Sequence, residues 1–156
     1  MLSSPFELDL PDADATAALG VAFGHILRPG DTLLLDGPVG AGKTHFARAL
    51  IQSILSEPED VPSPTFTLVQ VYDTTRGTLW HTDLYRLSDS SEIEELGLTE
   101  AFETAICLVE WPDRLGTPPA QALLLRFADA GDGRKVTMEW QAGDWADRVQ
   151  VGLNDV

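Results

Sequence analysis

The feature that most constrains this chain is a glycine-rich octapeptide between an apolar run and a helical pattern. Residues 37–44 match the phosphate-loop pattern G-x-x-x-x-G-K-[ST] in full. Residues 32–36 predict a buried strand before it, and the apolar spacing after it predicts an amphipathic helix that ends near Pro58. A glycine-rich turn that binds nothing would not need this context. The pattern therefore favours a strand–loop–helix unit that binds the phosphates of a nucleoside triphosphate.

Each residue type in this loop has a physical reason. Glycines allow positive φ angles that turn backbone N–H groups towards an anion, and the next helix adds the positive end of its dipole. We expect Lys43 to reach the β- and γ-phosphates and the Thr44 hydroxyl to bind Mg²⁺. The predicted nucleotide-binding residues of the loop are Gly37, Pro38, Val39, Gly40, Ala41, Gly42, Lys43 and Thr44.

Two acidic residues end later apolar strands. Glu110 follows residues 105–109, and its predicted role is a Mg²⁺ contact, either direct or through water. The alternative is an exposed carboxylate at a strand end. Asp83 ends the less regular run 79–82, and the pattern leaves two roles open. It could bind Mg²⁺ or position water, or it could cap the helix that follows.

For other polar residues near these segments, the sequence gives weaker evidence of a functional role. His81 is interpreted as an ordinary packed or surface histidine rather than one that polarises a group near a nucleotide. The stiff loop 63–65 lies where a hydroxyl could sense a γ-phosphate, or it is simply a Pro-rich connection. Arg86 and Arg114 could neutralise phosphate charge or form surface ion pairs. The tryptophans are interpreted as core or interface residues.

The remaining patterns predict an α/β fold with a mixed parallel and antiparallel sheet, in one domain over residues 1–156. Residues 9–14 are predicted to form a loop that leads into a helix from Ala15. Further strands are predicted at residues 66–72, 78–82, 105–109, 122–127 and 135–140, and further helices at residues 91–97, 99–104 and 142–149.

Charge and composition limit the partners. The net charge is −15, so the surface repels the nucleic acid backbone and anionic membranes, and this argues against direct electrostatic binding to tRNA. The single cysteine, Cys107, allows no internal disulfide. The sequence has neither a signal-peptide pattern nor an apolar run long enough to span a membrane, which predicts a cytoplasmic protein.

Four segments together resemble one family, TsaE, the small ATPase required for threonylcarbamoyladenosine modification of tRNA in bacteria. They are residues 37–44, Ser-Pro-Thr-Phe-Thr-Leu-Val at 63–69, His-Thr-Asp-Leu-Tyr-Arg-Leu at 81–87, and Val-Glu-Trp-Pro at 109–112. The resemblance implies a three-layer P-loop NTPase sandwich that uses ATP and Mg²⁺ and hydrolyses ATP slowly alone. It also implies two protein partners, TsaB and TsaD, of which TsaD carries the transferase chemistry.

The resemblance also implies roles for particular residues. Thr44, Glu110 and Asp83 would be the Mg²⁺ residues, and the catalytic set would be Asp83, Glu110 and Lys43. Further nucleotide contacts would come from His45, Thr65 in the switch-like loop, and the segment near Pro11. His45 stands where the family often has a second threonine, which leaves any role for a second hydroxyl open.

Two other functions are compatible with the loop. A small-molecule kinase would usually carry an arginine-rich lid, and the sequence has no such cluster. A nucleotide-binding regulatory module without useful hydrolysis has the same sequence features as a slow ATPase.

Overall fold

Helices and strands are distributed along the whole chain. The computed structural model describes residues 2–38, 40–65, 67–87 and 90–154. The strands are β1 (Phe6–Leu10), β2 (Thr32–Asp36), β3 (Val69–Thr74), β4 (Gly77–Asp83), β5 (Ile106–Glu110), β6 (Leu123–Ala130) and β7 (Gly133–Glu139). The helices are α1 (Ala13–Gly24), α2 (Lys43–Ile54), α3 (Ser90–Glu95), α4 (Leu98–Thr104) and α5 (Trp145–Leu153), with a 3₁₀ helix at Pro112–Arg114.

The strands form one seven-stranded mixed sheet in the order β1-β7-β6-β2-β5-β4-β3. The four strands β6, β2, β5 and β4 are parallel neighbours, whereas β1, β7 and β3 lie in antiparallel pairs. This confirms the mixed α/β sheet predicted from the sequence. Because the carboxyl ends of β2, β4 and β5 lie at the same edge, the residues that follow these strands meet there.

The first strand is absent from the sequence prediction. Residues 9–14 were expected to be a loop, but Asp9 and Leu10 belong to β1, which pairs antiparallel with β7. The signal is the alternation of Phe6, Leu8 and Leu10 with acidic residues, a period-2 pattern too short to stand out. The helix after it begins at Ala13 instead of Ala15, because the Asp12 side chain caps it by accepting from the Ala15 N–H at 2.8 Å.

Helices cover both faces of the sheet, so the fold has three layers. In β2, Leu33 and Leu35 lie in a core with α1, α2 and α5, whereas Leu34 lies in a second core with α3 and α4. All three leucines are buried, as expected for a central parallel strand. No helix in the described part of the chain is long and apolar enough to cross a membrane.

Alanine at Gly20 is expected to destabilise the fold, although alanine is normally the better helix former. A Cβ at Gly20 would lie 2.6 Å from the backbone oxygen of Phe46, so α1 and α2 would have to separate. We expect Gly20→Ala to lower the free energy of unfolding by about 1–3 kcal/mol. Gly152→Ala is the matched control in α5, because its Cβ would meet Ile26 Cδ1 at an ordinary 3.5 Å. Urea unfolding of both variants tests this, and equal stability of the two would contradict it.

Candidate functional site

The glycine-rich loop connects the carboxyl end of β2 to the first residue of α2. Gly37 has a φ of 135°, and a Cβ there would lie 2.4 Å from the backbone oxygen of Phe127, so only glycine fits this close approach. The N-cap of α2 is Gly42, with a φ of 102°. It has no side chain to occupy the N–H groups of the first helical turn, which remain available to an anion. Val39 was also predicted to bind nucleotide, and it lies outside the described residues.

Lys43 points back along the loop. Its Nζ donates to the backbone oxygen of Gly37 at 2.5 Å and lies 3.9 Å from the centroid of the Trp111 ring. The residue is buried. Burial lowers the pKa of its ammonium group, and neighbouring carboxylates, first that of Glu110 and then that of Asp36, oppose this shift. Lys43 is therefore a positive group held in a partly desolvated pocket, where its attraction to an anion is strong.

Asp83 and Glu110 lie side by side. They are register partners in the parallel pair β4–β5, so their carboxylates share one edge of the sheet. Both residues are buried, which rules out the exposed strand-end carboxylate considered for Glu110. The Asp83 carboxylate accepts from the Tyr85 N–H at 2.9 Å and so caps a turn, whereas α3 begins only at Ser90. The helix-capping alternative for Asp83 is therefore wrong.

The two carboxylates contact different neighbours. Glu110 Oε1 accepts from the hydroxyl of Thr44 at 3.0 Å, which links the acid on β5 to the first turn of α2. Asp83 Oδ2 accepts from the hydroxyl of Thr65 at 3.2 Å, and Thr65 in turn lies 2.8 Å from the hydroxyl of Ser63. The structure thus joins the Pro-rich loop to Asp83 and the phosphate loop to Glu110.

His81 was interpreted from the sequence as an ordinary packed or surface histidine. It is packed, but its Nε2 lies 2.7 Å from Glu110 Oε2, and both side chains are almost fully buried. Sequence alone gave one usable signal for this contact: His81 is two residues before Asp83 and therefore shares its face of β4.

A cavity of about 440 Å³ lies between the phosphate loop and the two acids. Eight of the predicted residues line it: Gly40, Gly42, Lys43, Thr44, His45, Thr65, Asp83 and Glu110. Trp111 and Tyr85 also line it, with their rings 4.8 Å apart, so Trp111 is a site residue in addition to a packing residue. Its φ of 59° costs about 1–2 kcal/mol in a bulky residue and turns its ring towards Lys43.

A second cavity of about 360 Å³ lies on the other side of the loop. The start of α1 lines it with Asp12, Ala13 and Thr16, and the tip of the β6–β7 hairpin lines it with Asp132, Gly133 and Arg134. Pro11 is exposed and lies against Gly133 at the edge of this cavity, not in its lining. Gly40, Gly42 and His45 border both cavities, so the two form neighbouring compartments around the loop.

Arg134 is a residue of this region that the sequence analysis missed. One of its guanidinium nitrogens donates to the backbone oxygen of Gly40 at 3.0 Å, and another lies 3.3 Å from Asp129. The β6–β7 hairpin is thereby tied to the phosphate loop. Arg86 and Arg114 are exposed, and neither is among the described residues that line the two cavities.

The donor set of the first cavity fits Mg²⁺. The described residues contain no group of three or more His, Cys, Asp or Glu side chains that could enclose a metal ion. Mg²⁺ does not need one, because it usually takes one or two protein ligands and completes its shell with phosphate and water oxygens. Thr44 and Glu110, whose side chains meet at 3.0 Å, would supply one hydroxyl and one carboxylate oxygen to such an ion.

A parallel strand, a glycine-rich loop and a helix, opposite an acid on the neighbouring strand, together define the P-loop NTPase class of α/β proteins. Comparison with known proteins narrows this class to one family. The family model described as "Threonylcarbamoyl adenosine biosynthesis protein TsaE" matches residues 10–137. The chain belongs to the TsaE family.

Individual relatives agree with this assignment. A protein of Rickettsia felis named tRNA threonylcarbamoyladenosine biosynthesis protein TsaE is 40% identical over 125 residues, which cover 78% of this chain and 73% of the relative. A protein of the same name from Haemophilus influenzae is 35% identical over 136 residues, 83% of this chain and 85% of the relative. The crystal structure of YdiB from Bacillus subtilis superposes with a TM-score of 0.75 at 26% identity, covering 100% of this chain and 99% of that one.

Proposed function

We propose that this protein is a Mg²⁺-dependent ATPase required for threonylcarbamoyladenosine modification of tRNA, and that it acts on a complex of TsaB and TsaD. Membership of the TsaE family supports the pathway. We infer the ATPase activity from the 3.0 Å hydrogen bond between Thr44 and Glu110, which brings a hydroxyl of the phosphate loop and a buried acid together.

The loop and Lys43 bind the phosphates in this proposal. The backbone N–H groups at the start of α2 hold the phosphate oxygens, and Lys43 moves from the Gly37 oxygen to the β- and γ-phosphates. The second cavity, beside the start of α1, accommodates the nucleoside end of ATP. Its position directly next to the loop supports this arrangement.

Thr44 and Glu110 would hold Mg²⁺, and the bound ion would supply positive charge beside the phosphates. Asp83 and Thr65 line the same cavity on the side of Glu110 away from β2, and in this proposal the γ-phosphate lies beside them. Since Glu110 already contacts both Thr44 and His81, we assign the orientation of the attacking water to Asp83. The Asp83 carboxylate accepts the water's hydrogen bond, and the Thr65 hydroxyl fixes that carboxylate.

In this proposal the ATPase acts on a protein complex and does not bind tRNA itself. The net charge of −15 opposes direct contact with the tRNA backbone. An acidic surface is compatible with docking on protein partners, and TsaB and TsaD are the partners that the family resemblance implies.

The role in this pathway is tested in bacterial cells depleted of their own TsaE protein, by measuring threonylcarbamoyladenosine in tRNA with mass spectrometry. We expect the wild-type chain and Lys135→Ala to restore the modification, and Lys43→Ala to fail. Unchanged modification after depletion would contradict the proposal. A phosphorylated product in a screen of metabolites with the purified protein and ATP would favour a kinase. ATP hydrolysis that TsaB and TsaD do not stimulate would favour a regulatory module.

Removal of Arg134 is expected to weaken ATP binding modestly. Arg134→Ala deletes the hydrogen bond to the Gly40 oxygen, which contributes about 1 kcal/mol to fixing the loop. We therefore expect the Kd for ATP to rise about 3- to 10-fold by calorimetry. Arg28→Ala is the control, because Arg28 is exposed and pairs with Asp144 outside both cavities. Equal affinities of the two variants would contradict a role for Arg134 in the loop.

A further inference from the structure

The buried contact between His81 and Glu110 has one direction in the form of the site that would bind a metal. A metal-binding carboxylate is ionised and only accepts hydrogen bonds, so in that form the hydrogen of the 2.7 Å contact belongs to Nε2 of His81. The His81 side chain is 1% exposed and the Glu110 side chain 3%. Water therefore has little access to replace this donor if it is removed.

The two oxygens of Glu110 have different partners. Oε2 accepts from His81 and Oε1 from Thr44. The last torsion of a glutamate side chain has broad, roughly two-fold preferences, so the carboxylate would rotate freely without these contacts. Two hydrogen bonds to opposite oxygens fix its plane, and the bond from β4 is the one that comes from outside the phosphate loop.

We propose that His81 is a positioning residue that holds Glu110 so that Oε1 faces Thr44, and that it thereby sets the affinity of the site for Mg²⁺. This inference rests on the proposed function, in which Thr44 and Glu110 hold the metal. Hydrogen-bond partners of metal-binding carboxylates typically change metal affinity about 10- to 100-fold when removed. His81 has no direct contact with nucleotide in this arrangement and is not among the residues that line either cavity in the described part of the chain.

The test compares two amide side chains that differ in reach. His81→Gln can place its nitrogen near the position of Nε2 and keep the donor, whereas His81→Asn is too short to reach Glu110. Calorimetry with a non-hydrolysable ATP analogue, in Mg²⁺ and in EDTA, gives the factor by which Mg²⁺ tightens binding. Thr82→Val is the control on the same strand, because the Thr82 side chain is buried and its hydroxyl has no hydrogen-bond partner among the described residues.

We expect His81→Asn to lower the Mg²⁺ factor about 10- to 100-fold, with affinity in EDTA changed less than about 3-fold. His81→Gln and Thr82→Val should stay within about 3-fold of the wild type. A His81→Asn factor equal to that of the wild type, or the same loss in His81→Gln, would overturn the inference. A loss of affinity in EDTA as large as the loss in Mg²⁺ would assign His81 a structural role instead.

A second measurement needs no variant. In ¹⁵N-histidine NMR of the wild-type protein with the analogue bound, we expect the Nε2–H resonance of His81 to shift when Mg²⁺ is added, and an unmoved resonance would overturn the inference. If Mg²⁺ leaves the wild-type affinity unchanged, the proposed function fails and this inference fails with it. If Mg²⁺ tightens wild-type binding while His81→Asn behaves as wild type, only the role of His81 fails.

Discussion

Replacing Lys43 with alanine is expected to raise the Kd for ATP about 10- to 100-fold. Hydrogen bonds from charged donors contribute about 1.5–3 kcal/mol, which corresponds to that change in affinity. Lys43 is the only cationic side chain among the described residues that line the larger cavity. Lys43 is buried, so water screens its attraction to the phosphates only weakly. Calorimetry with ATP and Mg²⁺ measures the change.

The chain supplies the control for this experiment. It has two lysines, and the other, Lys135, lies 3.7 Å from Glu7 at the surface of the β1–β7 pair. Lys135→Ala removes the same charge from the whole protein, so any effect of net charge on ATP binding appears in both variants. Equal losses in Lys43→Ala and Lys135→Ala would contradict a specific phosphate contact, as would wild-type affinity in Lys43→Ala.

Glu110→Gln is expected to lower Mg²⁺-dependent ATP hydrolysis about 100-fold, while ATP binding in EDTA changes much less. Glutamine keeps the size of the side chain and an oxygen for His81, but it removes the negative charge that would hold the metal. A 100-fold loss of rate corresponds to about 2.7 kcal/mol of charge stabilisation. Hydrolysis is measured in the presence of TsaB and TsaD, and binding is measured by calorimetry on the same preparation.

Glu110→Ala tests a structural role of Glu110. Like Glu110→Gln it removes the metal-binding charge, but it also leaves the Nε2–H of His81 buried without an acceptor. We therefore expect its free energy of unfolding to fall by about 1–3 kcal/mol more than that of Glu110→Gln. Equal losses in hydrolysis and in nucleotide binding in EDTA for Glu110→Gln would indicate that Glu110 mainly supports the fold. A loss of hydrolysis and of the affinity gained from Mg²⁺, with affinity in EDTA retained, is the outcome that agrees with a metal ligand.

Local patterns predicted the part of the fold that carries the loop. The apolar run of β2, the glycines and the amphipathic pattern of α2 are adjacent in sequence, and each element follows from its own residues. The same holds for β5, whose apolar run ends at Glu110. The short strand β1 was missed because its residues are half exposed and alternate over only five positions.

The contacts of the site depend on strand order, which no local pattern contains. Thr44 and Glu110 are 66 residues apart, and they meet because β5 lies directly beside β2. His81 reaches Glu110 because β4 is the next strand, in a register that sequence spacing does not fix. Arg134 comes from a hairpin on the other side of β2, so its bond to Gly40 could not be foreseen from the loop. The resemblance to a family supplied residue roles, whereas these distances required the fold.

In the proposed function the larger cavity binds ATP and Mg²⁺, with Glu110 at the metal and Asp83 at the attacking water. A crystal structure with a non-hydrolysable ATP analogue and Mg²⁺ would show each of these positions. We predict that the triphosphate lies along the loop with Lys43 moved onto it, and that Thr44 and Glu110 contact the metal. Asp83 should face a water near the γ-phosphate. A metal bound by Asp83 with Glu110 apart from it, or a nucleotide outside the cavity, would contradict the roles proposed for these two acids.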